Sequence, residues 1–386
     1  MNPIFADIGT SVFEVMSRLA RERQAVNLGQ GFPDDPGPAD VRAKAAEAIV
    51  SGWNQYPPMM GLPELREAIA QYTGSLHPAI DARRVVVTSG GVNALMLAVQ
   101  ALVDAGDEVV VVTPVWPNLV AQPAIMGAQV RCVALRPVDG AWTLDLPALL
   151  AAVTASTKLL VVNAPNNPTG WTLTRDEQQR ILAHCRETGT WLLADEVYER
   201  LYFDATPNRC APSFLDVAAP DDRLVVAHSF SKSFLMTGWR LGWLVVPDAM
   251  VDAMAKLIEF NTSCASVFTQ RAALAALAHR EEITPAIVAH LQRCRDTLVP
   301  LLAAIDGVQV ATPRGGMYAF FRIEGFDDSM DVARRLVVEA GLGLAPGAAF
   351  APEASGWLRW CFASKDPARL VEGVRRLREW LEANRP

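Results

Sequence analysis

The chain has no uninterrupted apolar run of membrane-spanning length. Its most hydrophobic pieces, residues 109–112 and 159–162, are sized for single strands. It also lacks a basic excess: 35 lysines and arginines against 42 acidic residues leave a formal net charge of −7. That balance gives no electrostatic footprint for nucleic acid, and there is no spare length for a DNA-binding module. Histidine is scarce, at five residues, and none stands in an HExxH or HxxxH arrangement, so no metal site is expected. The six cysteines (Cys132, Cys185, Cys210, Cys264, Cys294 and Cys361) are scattered without a CxxC pair. They read as reduced thiols, which points to neither a disulfide framework nor a zinc site. The start, MNPIFADIGTSVFEV, has no basic flank followed by an apolar core, so no secretory leader and a cytoplasmic location are expected.

What the chain does have is enough apolar material for a large core: 386 residues, 51% hydrophobic and 20% charged. From residue 84 to about 246, short β-branched runs alternate with helical stretches. Strands are expected at 85–88, 109–113, 129–134, 158–163, 191–194, 224–227 and 241–246, with a helix over 93–103. Near-continuous apolar strands separated by helices predict a mainly parallel sheet covered on both faces. Thr174 and Glu177 form a capping-box pattern for a helix that Gly189 ends. Thr284-Pro285 reads as an N-cap and N1 pair that starts a helix running to about 302. Beyond 302, shorter strands (308–311, 317–323, 357–363) mix with helices (330–340, 368–383), the texture of a smaller α+β unit. The expected fold class is therefore α/β, a large domain over 51–285 and a small C-terminal domain over 286–386. Residues 1–50 form an N-terminal arm, whose helix at 39–50 is expected to pack on the small domain.

The most informative stretch is His228-Ser-Phe-Ser-Lys-Ser-Phe-Leu-Met-Thr-Gly-Trp-Arg240. Lys232 stands beside two hydroxyls, Ser229 and Ser231, with the guanidinium of Arg240 just downstream. A lysine that forms a Schiff base with an aldehyde, next to groups suited to a phosphate, points to pyridoxal 5'-phosphate. The strand 85–88 runs through glycines 90 and 91 to Val92 and a helix, where bare backbone and a helix N-terminus favour an anion. Asn163-Ala-Pro-Asn-Asn-Pro-Thr-Gly170 offers the Asn167 amide to the cofactor's phenolic oxygen. Leu192-Leu-Ala-Asp-Glu-Val-Tyr198 sets an acid at the carboxyl end of a buried strand, where open α/β sheets bind ligands. Adjacent strand residues face opposite ways, so Asp195 and Glu196 cannot both reach one ligand. Asp195 suits a pyridinium nitrogen, Tyr198 the phenolic oxygen, and Trp116 a stacked ring. Taken singly these segments also read as a tight turn, a helix cap or core. Tyr56 lies far upstream in a loop, and Arg359, on an alternating strand, carries the planar fork that fits a carboxylate.

Together and in this order, the segments resemble fold-type I, class I aminotransferases over about residues 27–364. The resemblance implies that Lys232 is the Schiff-base lysine, Asp195 the pyridine partner, and Tyr198 and Asn167 the phenolic-oxygen donors. It implies a phosphate cup of Ser229, Ser231, Arg240 and the Gly91–Val92 backbone. Arg359 with the backbone of Gly31 would hold the substrate α-carboxylate, near Asn167 and Trp116. Tyr56 would reach the cofactor of a second subunit, making the protein a homodimer with shared sites. The implied reaction moves an amino group from an L-amino acid to a 2-oxo acid in ping-pong fashion. A C–S β-lyase or an aspartate-type aminotransferase would use most of the same residues. Many relatives carry lysine where this chain has Val92. The pocket segments offer Phe13, Phe32, Met59, Met60, Trp116 and Tyr318, a lining for a large neutral side chain. The segments 27–34 and 54–56 resemble those of enzymes taking methionine, glutamine, kynurenine and aromatic amino acids. A distal carboxylate would need a cation such as Arg271.

Overall fold

The computed structural model describes residues 11–384. At its centre is a seven-stranded sheet, ordered Val85–Thr88, Gly242–Val245, Leu224–Ser229, Trp191–Asp195, Thr157–Asn163, Glu108–Thr113 and Gln129–Ala134. Every pairing is parallel except the two made by Gly242–Val245, which runs against both its neighbours. Alternation along the strands divides their side chains between two cores. Val110, Val112, Leu160, Val162, Leu192 and Ala194 join one buried cluster. Val109, Val111, Leu159, Val161 and Leu193 join another. Both faces are dry, which is why these strands read as continuous apolar runs.

The capping box at Thr174 and Glu177 is present, with both reciprocal bonds formed, and Gly189 closes that helix in the left-handed region at φ 74°. The second unit is a four-stranded antiparallel sheet, ordered Val308–Val310, Tyr318–Ile323, Trp357–Cys361 and Ala345–Pro346. The helices Ser329–Ala340 and Ala368–Asn384 bury Leu336, Leu377 and Trp380 in its core.

Two expectations need correction. The helix Ala39–Val50 does not pack on the second unit; it lies on Val267–Ala278, with Val41 and Ala45 in the first core. It is the helix Val12–Glu22 that joins the smaller sheet, through Met16 and Ala20. The helix expected to start at Pro285 begins at Arg280 and runs to Ala303 with Pro285 inside it, across the expected boundary at 285. Glu281 and Glu282 occupy its first turn, where acidic groups offset the helix dipole, while Thr284 turns inward and bonds the Ser233 carbonyl. Among the described residues, no helix is long and apolar enough to cross a membrane.

Candidate active site

The carboxyl ends of the central strands open into a cavity of about 640 Å³ between the two sheets. Its lining includes Gly31, Gly91, Val92, Trp116, Asn167, Asp195, Tyr198, Ser229, Ser231, Lys232, Arg240 and Arg359, all read from sequence as site residues. Tyr56 is not among them and is 86% exposed.

Lys232 sits on the short turn Phe230–Ser233 that follows the strand Leu224–Ser229. The Ser229 hydroxyl caps this turn by accepting the Ser231 N–H at 3.1 Å. Lys232 Nζ donates to the Gly31 carbonyl at 2.7 Å and lies 5.5 Å from the Tyr198 ring centre. Burial lowers its pKa to about 8, helped by Arg359 and Arg240 and opposed by Cys361 and Asp195. Asp195 ends its strand buried, its carboxylate receiving the Val197 N–H at 3.4 Å. Burial raises its pKa to about 7 against the pull of that N–H and of Lys232. Glu196 faces the other way, as alternation requires, and takes the Ser213 hydroxyl and the Phe214 N–H.

Arg359 is fully buried. Its Nη1 donates to Asn167 Oδ1 and its Nη2 to the Gly29 carbonyl, each at 2.8 Å, while Nε has no partner. The rings of Phe13, Tyr318 and Phe350 surround the guanidinium at 5.2, 4.3 and 4.9 Å. None of the ion pairs among the described residues involves it. A buried cation held by neutral groups is costly unless an anion joins it. Gly31 lies against it: an added Cβ would sit 3.6 Å from Nη2.

At the other end of the cavity lining, Gly90 takes φ 92° and the helix Gly91–Leu102 begins. The first bond of that helix runs from Ala94 N–H to Gly90 O, so the N–H groups of Gly91 and Val92 fall among its unpaired donors. A Cβ on Gly90 would come within 2.5 Å of Arg240 Nη2. The glycine therefore lets the guanidinium lie on bare backbone beside those donors, a cradle for a phosphate.

Two residues do more than the sequence suggested. Tyr318, read only as apolar lining, shares a hydroxyl–hydroxyl bond with Tyr198 at 2.9 Å and donates to the Gly31 carbonyl at 3.2 Å. Burial raises the pKa of both phenols, that of Tyr318 to about 12. Asn163, at the end of an apolar strand, donates to the Asp195 carbonyl at 3.0 Å and accepts the Asn167 N–H at 2.8 Å. A polar residue closing a buried run was the available signal. Two expected lining residues are elsewhere. Met60 packs against the core of Val109 and Val111 while its carbonyl takes the Val87 N–H at the sheet edge, and Met59 is outside the lining. Arg271 pairs with Glu64 and lies over Trp53, away from the cavity.

These residues fit pyridoxal 5'-phosphate: a buried carboxylate short of donors, a lysine of lowered pKa, and a glycine-and-arginine phosphate cradle. The fold and site define a pyridoxal-phosphate enzyme of fold type I. A family model described as aminotransferase class I and II matches residues 23–377, and the chain belongs to that family. It is a pyridoxal-phosphate-dependent aminotransferase. The Mycobacterium tuberculosis probable N-succinyldiaminopimelate aminotransferase DapC is 34% identical to it, over 95% of each chain. The Thermotoga maritima aspartate aminotransferase structure superposes with TM-score 0.91 at 31% identity, covering 99% of this chain and 100% of that one. The Escherichia coli protein YbdL, described with a methionine aminotransferase function, matches with TM-score 0.91 at 30% identity over 98% and 99%.

Proposed function

We propose that this aminotransferase acts on L-amino acids with a large neutral side chain, apolar or thioether, in homodimers whose sites are shared. The observation that carries the substrate reading is the charge inventory of the cavity. Its lining contains three cations, Lys232, Arg240 and Arg359. Each has a use common to every amino-acid substrate, so this subunit leaves no cation over for a distal carboxylate. Phe13, Phe32, Trp116 and Tyr318 line the same space, and Val92 stands at the start of the phosphate-loop helix. An unpaired carboxylate against that surface would cost several kcal/mol, roughly 2–5. Relatives named for aspartate, N-succinyldiaminopimelate and methionine share the fold, so the lining rather than the family guides the choice.

In this reading Gly91, Val92, Ser229, Ser231 and Arg240 hold the cofactor's phosphate, Trp116 covers its ring, and Asn167 and Tyr198 bond its phenolic oxygen. Asp195 keeps a proton on the ring nitrogen. When bound, the cofactor supplies a ring that withdraws electrons from the substrate's Cα. Arg359 fixes the α-carboxylate, which offsets its own buried charge, and the Gly31 backbone borders it. Lys232 Nζ, whose pKa burial lowers to about 8, would take the proton from the substrate's Cα. Tyr198 and Tyr318 hold the hydroxyl chain that leads to the Gly31 carbonyl, the same oxygen Lys232 contacts. The exposure of the large side chains Val50 (89%), Tyr56 (86%) and Phe260 (86%) supports surface that a second subunit covers.

The test is a half-reaction screen with borohydride mapping. Methionine or phenylalanine should convert the cofactor with higher kcat/KM than aspartate, and reduction should fix the cofactor to Lys232. A preference for aspartate would overturn the substrate reading, and attachment to another lysine would overturn the mechanism. Pyruvate and ammonia release from a thioether amino acid without any 2-oxo acid would mark a β-lyase instead.

A further inference from the structure

One wall of the cavity comes from the helix Val12–Glu22, which contributes Phe13, Glu14 and Ser17 after its N-cap, Ser11. Five charged residues line the cavity: Glu14, Asp195, Lys232, Arg240 and Arg359. The mechanism above uses four of them. Glu14 is left over, and it stands next to Phe13, the ring that packs over the Arg359 guanidinium. We infer that Glu14 is a specificity-determining residue: its carboxylate repels substrates with a distal carboxylate and admits those with a neutral or cationic end. The inference rests on the proposed reading of the cavity as the amino-acid site.

Glu14 also has local partners. It lies in the first turn of its helix and pairs with Arg21 at 3.3 Å. Both side chains of that pair are more than half exposed, so the attachment is weak and does not fix the carboxylate on Arg21. A purely structural Glu14 would affect all substrates alike. A specificity residue would separate two substrates that differ only in distal charge.

Glutamine and glutamate are such a pair, nearly equal in size. With the intact holoenzyme, Glu14→Gln should lower the glutamine-to-glutamate ratio of kcat/KM about fivefold, mainly by raising the glutamate value. The shift should shrink at high ionic strength. Arg21→Gln, which strips the counter-charge, should move the ratio the other way. An unmoved ratio in Glu14→Gln, or an equal loss with both substrates, would overturn the inference. A wild-type preference for aspartate over methionine would instead count against the apolar reading. The ratio would still report on Glu14: a shift upholds its role, and no shift removes it.

Discussion

Replacing Asp195 by asparagine should stabilise the cofactor-free protein and disable the enzyme, and the stabilisation should depend on pH. The carboxyl is buried, and its pKa is raised from 3.8 to about 7, chiefly by burial. A group whose folded pKa is raised contributes stability that is fully present below its unfolded pKa and lost as pH rises through the folded value. For Asp195 the window runs from 3.8 to about 7. Asparagine keeps the shape and has no charge to bury, so its advantage grows through that window. From pH 5 to pH 8 linkage gives about 2–3 kcal/mol, at roughly 1.36 kcal/mol for each tenfold difference in proton affinity between the folded and unfolded chain. Spread over the melting entropy of 386 residues, this is about 3 °C in midpoint. The assay is thermal unfolding of both cofactor-free proteins at pH 5 and pH 8, at one protein concentration. Turnover of the loaded variant should fall by several orders of magnitude, because an amide cannot hold the ring proton. A midpoint difference that is the same at both pH values, or a loss of stability at pH 8, would refute the burial argument. Near-normal turnover would reduce Asp195 to a structural residue.

Arg359→Gln removes the buried fork and should lower kcat/KM for an amino acid by roughly 10²–10⁴, the size of a lost buried charge pair. The matched amine without a carboxylate should lose far less; an equal loss for both would mean that Arg359 only supports Asn167 and Gly29. Tyr56, exposed in one subunit, is expected to complete the site of the other, so mixing an inactive Tyr56→Phe variant with Lys232→Ala should recover activity in hybrid dimers. Demonstrated subunit exchange without recovery would argue against a shared site.

How much of this was legible in the sequence follows from how local each signal is. The strand runs, the capping box at Thr174 and the alternation that separates Asp195 from Glu196 depend on neighbours a few residues away. All appear in the fold as read. The cavity residues were legible because the chemistry forces uncommon groups into short segments at strand ends. What escaped depends on distant partners. Proline rules started a helix at Pro285, but the turn before it is itself helical, and Thr284 is held by Ser233 from another part of the chain. Met59 and Met60 looked like lining because they follow Tyr56, yet the backbone of Met60 is tied to the sheet edge at Val87.

The same limit hides the polar assembly behind the site. Glu199 Oε2 meets His77 Nε2 at 3.3 Å and His228 Nδ1 at 3.4 Å, while His77 Nδ1 meets Asp216 Oδ1 at 2.9 Å. Burial works against charge on His77, but its bonds to Asp216 and Glu199 raise its pKa to about 10. For His228, packed against Trp243 with a ring separation of 5.0 Å, burial prevails and its pKa is lowered. One histidine is thus held charged and the other left neutral by burial although both meet the same carboxylate, because His77 is also bonded to Asp216. No local pattern brings together residues 77, 199, 216 and 228. Yet Glu199 follows Tyr198 and His228 precedes Ser229, so the assembly joins the two segments proposed to carry the cofactor's ring and phosphate partners. A buried, paired network of this kind is poor at adding stability and well suited to fixing one arrangement of the strands that contribute to it.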